Sequence, residues 1–260
     1  MDNSLLTQNQ YSKGLYLNFE MPSILKPFLK CIYQGLRKIH YNIAFPDVLI
    51  LGDSHAKVFQ HWWFLLKFPF KRFEVCSVKG ATVTGLENPN SKTEAFTTFK
   101  QAIKQHKYDK LIVLLGEVDI GFLIWYRADK YNISILETFD LAVTRYSNFL
   151  SMLRKIDKKL IVISAPLPTI QEGVVKGKVA ELRKSINATL QERTELTIRF
   201  NKEISKFCRN RDIKYIDLDN ICLGENGIVK KQMINKNSND HHYNKYEYAR
   251  LLSQRLKTII

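Results

Sequence analysis

Val48-Leu49-Ile50-Leu51-Gly52-Asp53-Ser54-His55 is the stretch from which the rest of the chain can be read. Its four aliphatic residues, bounded by glycine and polar residues, predict a short buried strand. Gly52 permits a tight turn out of that strand, and the following Ala56 to Leu66 has helical character. The strand therefore delivers the Ser54 hydroxyl to an edge of a sheet. One reading of Asp53 and Ser54 is a simple helix N-cap, for which Ser and Asp are the usual residues. The other is a serine nucleophile with helix-start N–H groups beside it.

Outward from this stretch the same alternation recurs. Phe73 to Val78, Leu111 to Gly116, Leu160 to Ala165 and Lys214 to Leu218 join Val48 to Gly52 as five predicted strands. Helices are predicted at 55–67, 93–106, 134–156, 178–209 and 244–258. Strands alternating with helices imply an α/β chain, a doubly wound three-layer sandwich on a five-stranded parallel sheet. No repeat or linker divides residues 46–260, so they are expected to form one domain. Residues 1–45 precede it as a polar arm and a basic amphipathic helix. In that helix Ile24, Phe28, Ile32, Leu36 and Ile39 share one face, and Lys26, Lys30, Arg37 and Lys38 occupy others. Such a helix packs on a domain or makes peripheral membrane contact through residues 22–40.

The balance of 40 Lys+Arg against 25 Asp+Glu gives a net charge of +15. A surface of that sign attracts acidic polysaccharide, anionic lipid, nucleic acid or a phosphate-bearing molecule. No aromatic platform of the kind that stacks bases is visible, so no nucleic-acid partner is expected. The glycines from Gly80 to Gly85 do not spell a dinucleotide fingerprint. Apolar runs such as Leu111 to Leu115 are far shorter than the roughly 20 residues that cross a bilayer. The N-terminal residues lack the charge and apolar pattern of a secretory signal, which predicts a cytoplasmic protein or one held at the inner membrane face. Cys31, Cys76, Cys208 and Cys222 have no zinc-site or disulfide-framework spacing, and neither do His55 and His61. They predict free thiols and no metal.

In an open α/β sheet the chemistry belongs at the carboxyl ends of the strands. Those ends carry Asp53-Ser54-His55, Gly80, Glu117-Val118-Asp119, Pro166-Leu167-Pro168 and Asp240-His241-His242. A serine hydroxyl becomes a useful nucleophile only when an imidazole takes its proton and an acid holds that imidazole's tautomer. All three residue types are present there.

Gly52-Asp53-Ser54-His55 resembles the first block of the SGNH (GDSL-like) hydrolases, in a Gly-Asp-Ser-His variant. Lys79-Gly80-Ala81-Thr82 resembles the second block, and Asp240-His241-His242-Tyr243-Asn244 the last. The matches cover most of residues 47 to 258 in the right order. The resemblance implies the flavodoxin-like fold of that superfamily, with Ser54 as nucleophile and an oxyanion hole from the N–H groups of Ser54 and Gly80. It implies His242 as base, because Tyr243-Asn244 resembles the residues that come after the family's base, with Asp240 as its acid and His241 as runner-up. Asp53, His55, Glu117 and Arg127 are candidate neighbours of the site.

Two departures stand out. The usual Asp-x-x-His spacing is absent, since Asn239 stands three residues before His242. Gly116-Glu117-Val118-Asp119 replaces the third block's Gly-x-Asn-Asp, and a valine side chain cannot donate a hydrogen bond. Asp119 reads as structural, and Glu117 as structural or substrate-contacting. Trp125-Tyr126-Arg127 reads either as a sugar-stacking face with a guanidinium or as a packed helix end.

Proteins with this start resemble bacterial ones associated with surface polysaccharide. The resemblance therefore implies a carbohydrate O-acetyl esterase working through an acyl-serine, on acylated carbohydrate that includes acidic polysaccharide. A polysaccharide O-acetyltransferase would use the same serine, with acetyl-CoA as donor; the esterase needs no cofactor. A third reading is a catalytically silent module that binds glycan or another polyanion.

Overall fold

The computed structural model describes Gly35 and residues 47–88, 90–170, 188–237 and 240–260. Apart from Gly35 these belong to one compact unit, Phe45–Ile260. The expected arm and the basic helix of residues 22–40 lie outside the described residues, as do residues 178–187 of the predicted fourth helix.

Five strands form the sheet: β1 (Asp47–Gly52), β2 (Arg72–Ser77), β3 (Lys110–Leu114), β4 (Leu160–Ile163) and β5 (Lys214–Ile216). All pairs are parallel, in the order β2-β1-β3-β4-β5. Gly52 at the end of β1 pairs with Ser77 on one side and Leu114 on the other. The direction in which strands are added reverses between β1 and β3, and there doubly wound sheets open a crevice at their carboxyl edge.

Both faces of the sheet are covered, which is why the central strands β1, β3 and β4 carry aliphatic runs without alternation. Leu49, Leu51, Leu111, Val113, Leu160 and Val162 enter one core, with Phe99, Phe139, Tyr146 and Phe200. Their neighbours Val48, Ile50, Ile112, Leu114, Ile161 and Ile163 enter the other, with Phe59, Phe64, Tyr243 and Leu252. The first core is closed by α2 (Ala95–Gln105), α4 (Ile135–Ile156) and α5 (Leu190–Asn210). The second is closed by a 3-10 helix (Ser54–Gln60), α1 (Trp62–Lys67) and α7 (Lys245–Leu256).

Helix starts follow their caps. The α5 start is a reciprocal capping box: Thr189 Oγ1 accepts from Glu192 N at 3.1 Å, and Glu192 Oε2 accepts from Thr189 N at 2.7 Å. Ser134 caps α4 and Asn244 caps α7.

The predicted helix over 55–67 is divided. His61 is extended, with φ −68° and ψ 139°, and its ring accepts from Trp63 N at 3.3 Å, so it ends the 3-10 segment and caps α1. Burial and then the Lys245 charge hold the His61 ring down at about 4, which keeps it neutral for that structural role. After β3 the chain enters a π-helical turn (Asp119–Leu123) and α3 (Ile124–Tyr131), and after β5 comes the short α6 (Asp219–Cys222). Among the described residues no helix is long and apolar enough to cross a membrane.

Candidate active site

The site begins where β1 ends. A Cβ on Gly52 would lie 2.5 Å from the Leu114 carbonyl oxygen and 2.7 Å from Ala56 Cβ, so only glycine allows the 3-10 segment to turn back so closely. The N-cap of that segment is Asp53, whose Oδ1 accepts from His55 N at 2.8 Å. Capping by Asp53 leaves the Ser54 hydroxyl for another partner. That partner is His242, whose Nε2 is 2.8 Å from Ser54 Oγ. The same imidazole donates from Nδ1 to Asp240 Oδ1 at 2.5 Å. With Nδ1 as the donor, the Nε2 lone pair faces the serine O–H, as a general base requires.

The C-terminal loop holds this geometry through contacts distant in sequence. Ile234 and Tyr243 form an antiparallel bridge, and Asn244 N donates to the Met233 carbonyl at 2.7 Å. The buried Tyr243 hydroxyl accepts from Leu167 N at 2.7 Å, while Thr169 Oγ1 donates to the His241 carbonyl at 2.6 Å. Asp240 also accepts from His242 N at 3.1 Å, and its other oxygen accepts from Asn235 Nδ2 at 3.0 Å. Burial disfavours the Asp240 carboxylate. The hydrogen bonds from the His242 ring and N–H, and the charge of Lys245, outweigh it and hold the group at about 2.

Gly80 stands in the loop after β2. Its φ of +71° lies where side-chain-bearing residues rarely go, and the space its Cβ would occupy is open. The loop is tied down at both ends. Val78 N donates to the Gly52 carbonyl at 2.9 Å, and the far end is gripped by Asp119 from the turn after β3. Asp119, fully buried, accepts from Val83 N at 2.6 Å, Thr84 N at 3.1 Å and Thr84 Oγ1 at 2.7 Å. Burial pushes its carboxyl up to about 6, against those hydrogen bonds and the Arg127 charge. Gly116, which starts this turn, has φ +122°, and a Cβ there would meet the Phe200 ring at 2.7 Å.

Ser54, His242 and Asp240 are thus brought together, with Gly80 in the neighbouring loop. Asp53 and His55 are buried beside them, paired at 3.0 Å between Asp53 Oδ1 and His55 Nδ1. His241 stacks on His242 with ring centroids 4.2 Å apart, but the ring at Ser54 is that of His242. Glu117 is buried, with Oε1 2.9 Å from where a Gly121 Cβ would sit. Arg127 Nη1 lies 3.5 Å from Thr84 Oγ1, on the Asp119 clamp. Trp125-Tyr126-Arg127 forms a partly buried helix face. α3 turns Trp125 against the first core, its indole N–H donates to the Ile120 carbonyl at 2.8 Å, and Tyr126 stacks on Phe122.

Asn235, Thr84 and Arg145, which donates to the Thr84 carbonyl, support the site although nothing in their sequence spacing marks them. A hollow of about 470 Å³ between the 85–97 segment and α4 is lined by residues outside the triad, among them Leu86, Glu87, Phe96 and Phe149.

No protein-family model matches the sequence, and no curated protein matches it. Solved structures do match. A GDSL-like lipase from Bacteroides thetaiotaomicron is 14% identical with a TM-score of 0.56, over 88% of this chain and 98% of the other. An acetyl xylan esterase is 13% identical with a TM-score of 0.53, over 82% and 99%. An extracellular lipase from Streptomyces rimosus is 12% identical with a TM-score of 0.50, over 81% and 99%. Together with the parallel sheet order and the serine at the end of β1, this likeness identifies the fold of the chain as that of the SGNH, or GDSL-like, hydrolases.

Proposed function

We propose that this chain is a serine-dependent acyl-ester hydrolase whose substrates are O-acetylated carbohydrates. The observation that carries the proposal is the relay Ser54 Oγ, His242 Nε2, His242 Nδ1, Asp240 Oδ1, with links of 2.8 and 2.5 Å. In the reaction, His242 takes the Ser54 proton as Oγ attacks the ester carbonyl carbon. The N–H groups of Ser54 and Gly80 stabilise the oxyanion, with Val118 offering no side-chain donor. Imidazolium then returns the proton to the sugar oxygen as its bond to the carbonyl carbon breaks, releasing the sugar hydroxyl and leaving acetyl-Ser54. Water, deprotonated by the same imidazole, releases acetate and restores the serine.

Carbohydrate specificity rests on the sequence resemblance and on the +15 charge, which favours acidic glycans. Salt bears on this. The rate on an acidic acetylated glycan is expected to fall between low and physiological ionic strength, where the Debye length shrinks to roughly 8 Å, while a neutral aryl acetate is little affected. Equal sensitivity of the two would remove charge from the argument.

The decisive test is labelling by a fluorophosphonate, together with acetate release from an aryl acetate and from an acetylated glycan. Wild type is expected to take one label and release acetate without added acceptor, and Ser54→Ala to do neither. A stoichiometrically labelled Ser54→Ala variant would sink the proposal. Acetyl transfer from acetyl-CoA to a polysaccharide hydroxyl without acetate release would replace hydrolysis by transfer on the same serine. Absence of label and of both activities would leave a glycan-binding module.

The acid limb of the labelling rate follows from the state of Asp240. A carboxyl lowered from 3.8 to about 2 contributes stability above pH 3.8 that is lost as pH falls through about 2. Above pH 4 Asp240 therefore stays ionised and adds no proton of its own to the acid limb. The labelling rate is expected to fall about tenfold per pH unit along a one-proton limb, while near-UV circular dichroism is still native. A two-proton limb would place Asp240 in the titration as well.

A further inference from the structure

Three imidazoles cluster around the partner of Ser54: His55, His241 and His242 itself. Their ring centroids are 4.2 Å (His241 to His242), 4.5 Å (His55 to His242) and 5.7 Å (His55 to His241) apart. One ring nitrogen from each lies within 4.8 Å of one from each of the others. Two of the three are held by carboxylates in the same way. His55 Nδ1 is 3.0 Å from Asp53 Oδ1, and His242 Nδ1 is 2.5 Å from Asp240 Oδ1. A histidine that donates Nδ1–H to a carboxylate presents a more basic Nε2 in a set orientation, the arrangement that backs metal-ligating imidazoles. Asp53 is buried, and its Oδ2 has no hydrogen-bond partner among the described residues. Ser54 Oγ, next to His242 Nε2, offers an oxygen for a fourth position.

We infer that His55, His241 and His242 form a binding site for a divalent transition-metal ion of the zinc or copper class, and that the bound ion silences Ser54. Silencing rests on the hydrolase reading; binding does not. Imidazole suits these ions, whereas magnesium and calcium prefer oxygen ligands. His242 can give its Nε2 lone pair to the ion or to the serine proton, but not to both, so occupancy removes the general base. A tetrahedral ion with N–metal bonds of about 2.0–2.1 Å requires the ring nitrogens to close up on it. That adjustment falls mainly to His241, which is only partly buried, whereas His55 is buried and carboxylate-held.

The test uses full-length protein titrated with zinc chloride by calorimetry, and with cobalt(II) by visible absorption. Wild type is expected to bind one ion with the d–d bands of a nitrogen-ligated site and no thiolate charge-transfer band. His241→Ala is expected to lose at least tenfold in affinity. Zinc is expected to inhibit wild-type turnover over the same concentration range as it binds, chelator to reverse this, and magnesium or calcium to do neither. Each variant is compared with its own metal-free rate, and His241→Ala should need at least tenfold more zinc. Absence of one-to-one binding, or equal binding by His241→Ala, overturns the site. Binding that depends on His241 without inhibition of an active enzyme overturns the silencing. A protein that binds zinc through His241 but hydrolyses no ester keeps the metal site and loses the hydrolase reading.

Discussion

Ser54→Ala, His242→Ala and the double variant are each expected to lower kcat/KM for an aryl acetate by about 10⁴-fold or more, and by nearly the same factor. In the proposed mechanism the two side chains act as one device. Without the imidazole the hydroxyl keeps its proton, and without the hydroxyl the imidazole has nothing to activate, so the second substitution removes what the first has already disabled. Their 2.8 Å separation makes that coupling direct. Asp240→Asn removes tautomer control and is expected to cost up to about 10⁴-fold in kcat, with the fold retained. His241→Ala should cost far less, because the ring hydrogen-bonded to Ser54 is that of His242. Steady-state kinetics on these variants, with circular dichroism as the check on folding, decides the matter. Additive losses in the double variant would mean that Ser54 and His242 do not work as a pair, and the reverse ranking of the two histidines would move the base to His241.

Asp119→Ala is expected to destabilise the protein by about 3–5 kcal/mol in urea unfolding, with an unchanged m-value. The carboxylate takes three hydrogen bonds at 2.6 to 3.1 Å from Val83 and Thr84, in a fully buried position. Removing it strands two backbone N–H groups and a hydroxyl away from water, and an unsatisfied buried donor costs about 1–3 kcal/mol. The same clamp fixes the far end of the loop that carries Gly80. In the proposed mechanism Gly80 acts on the oxyanion more than on the bound ester, so the surviving folded fraction should lose kcat more than it gains in KM. Asp119→Asn keeps the shape and one acceptor oxygen but turns an amide donor toward an N–H, and should fall between wild type and Asp119→Ala. A stability change within about 0.5 kcal/mol for Asp119→Ala, the range of ordinary surface substitutions, would show that the loop is held by other means.

Much of the architecture was legible in one dimension because its cause is local. The three central strands, from Val48, Leu111 and Leu160, are short aliphatic runs between polar or glycine residues, and a strand buried on both faces needs no partner's identity to be recognised. The position of Ser54 follows in the same way, since Gly52 and the 3-10 start after β1 are neighbours in sequence. Local periodicity was a poorer guide where a cap intervened. The apolar pattern from 55 to 67 reads as one helix, yet His61 uses its ring on Trp63 N and divides it. After β3, where Trp125-Tyr126-Arg127 left two readings open, α3 packs a partly buried Trp125 against a core whose other walls come from distant residues.

The choice between His241 and His242 could not be made from residue types, because the two are adjacent and share one polar loop. What aims His242 at Ser54 is a set of contacts from far along the chain: Leu167 N to Tyr243, Thr169 to the His241 carbonyl, and Asn244 N to Met233. Asp119 likewise reads only as an acid in a loop until Val83 and Thr84 close on it. The three imidazoles are also invisible to spacing rules, since His55 comes after β1 and the other two precede α7. Side-chain direction in a loop is set by hydrogen bonds between segments remote in sequence, and these exist only once the parallel sheet has brought the strand ends to one edge.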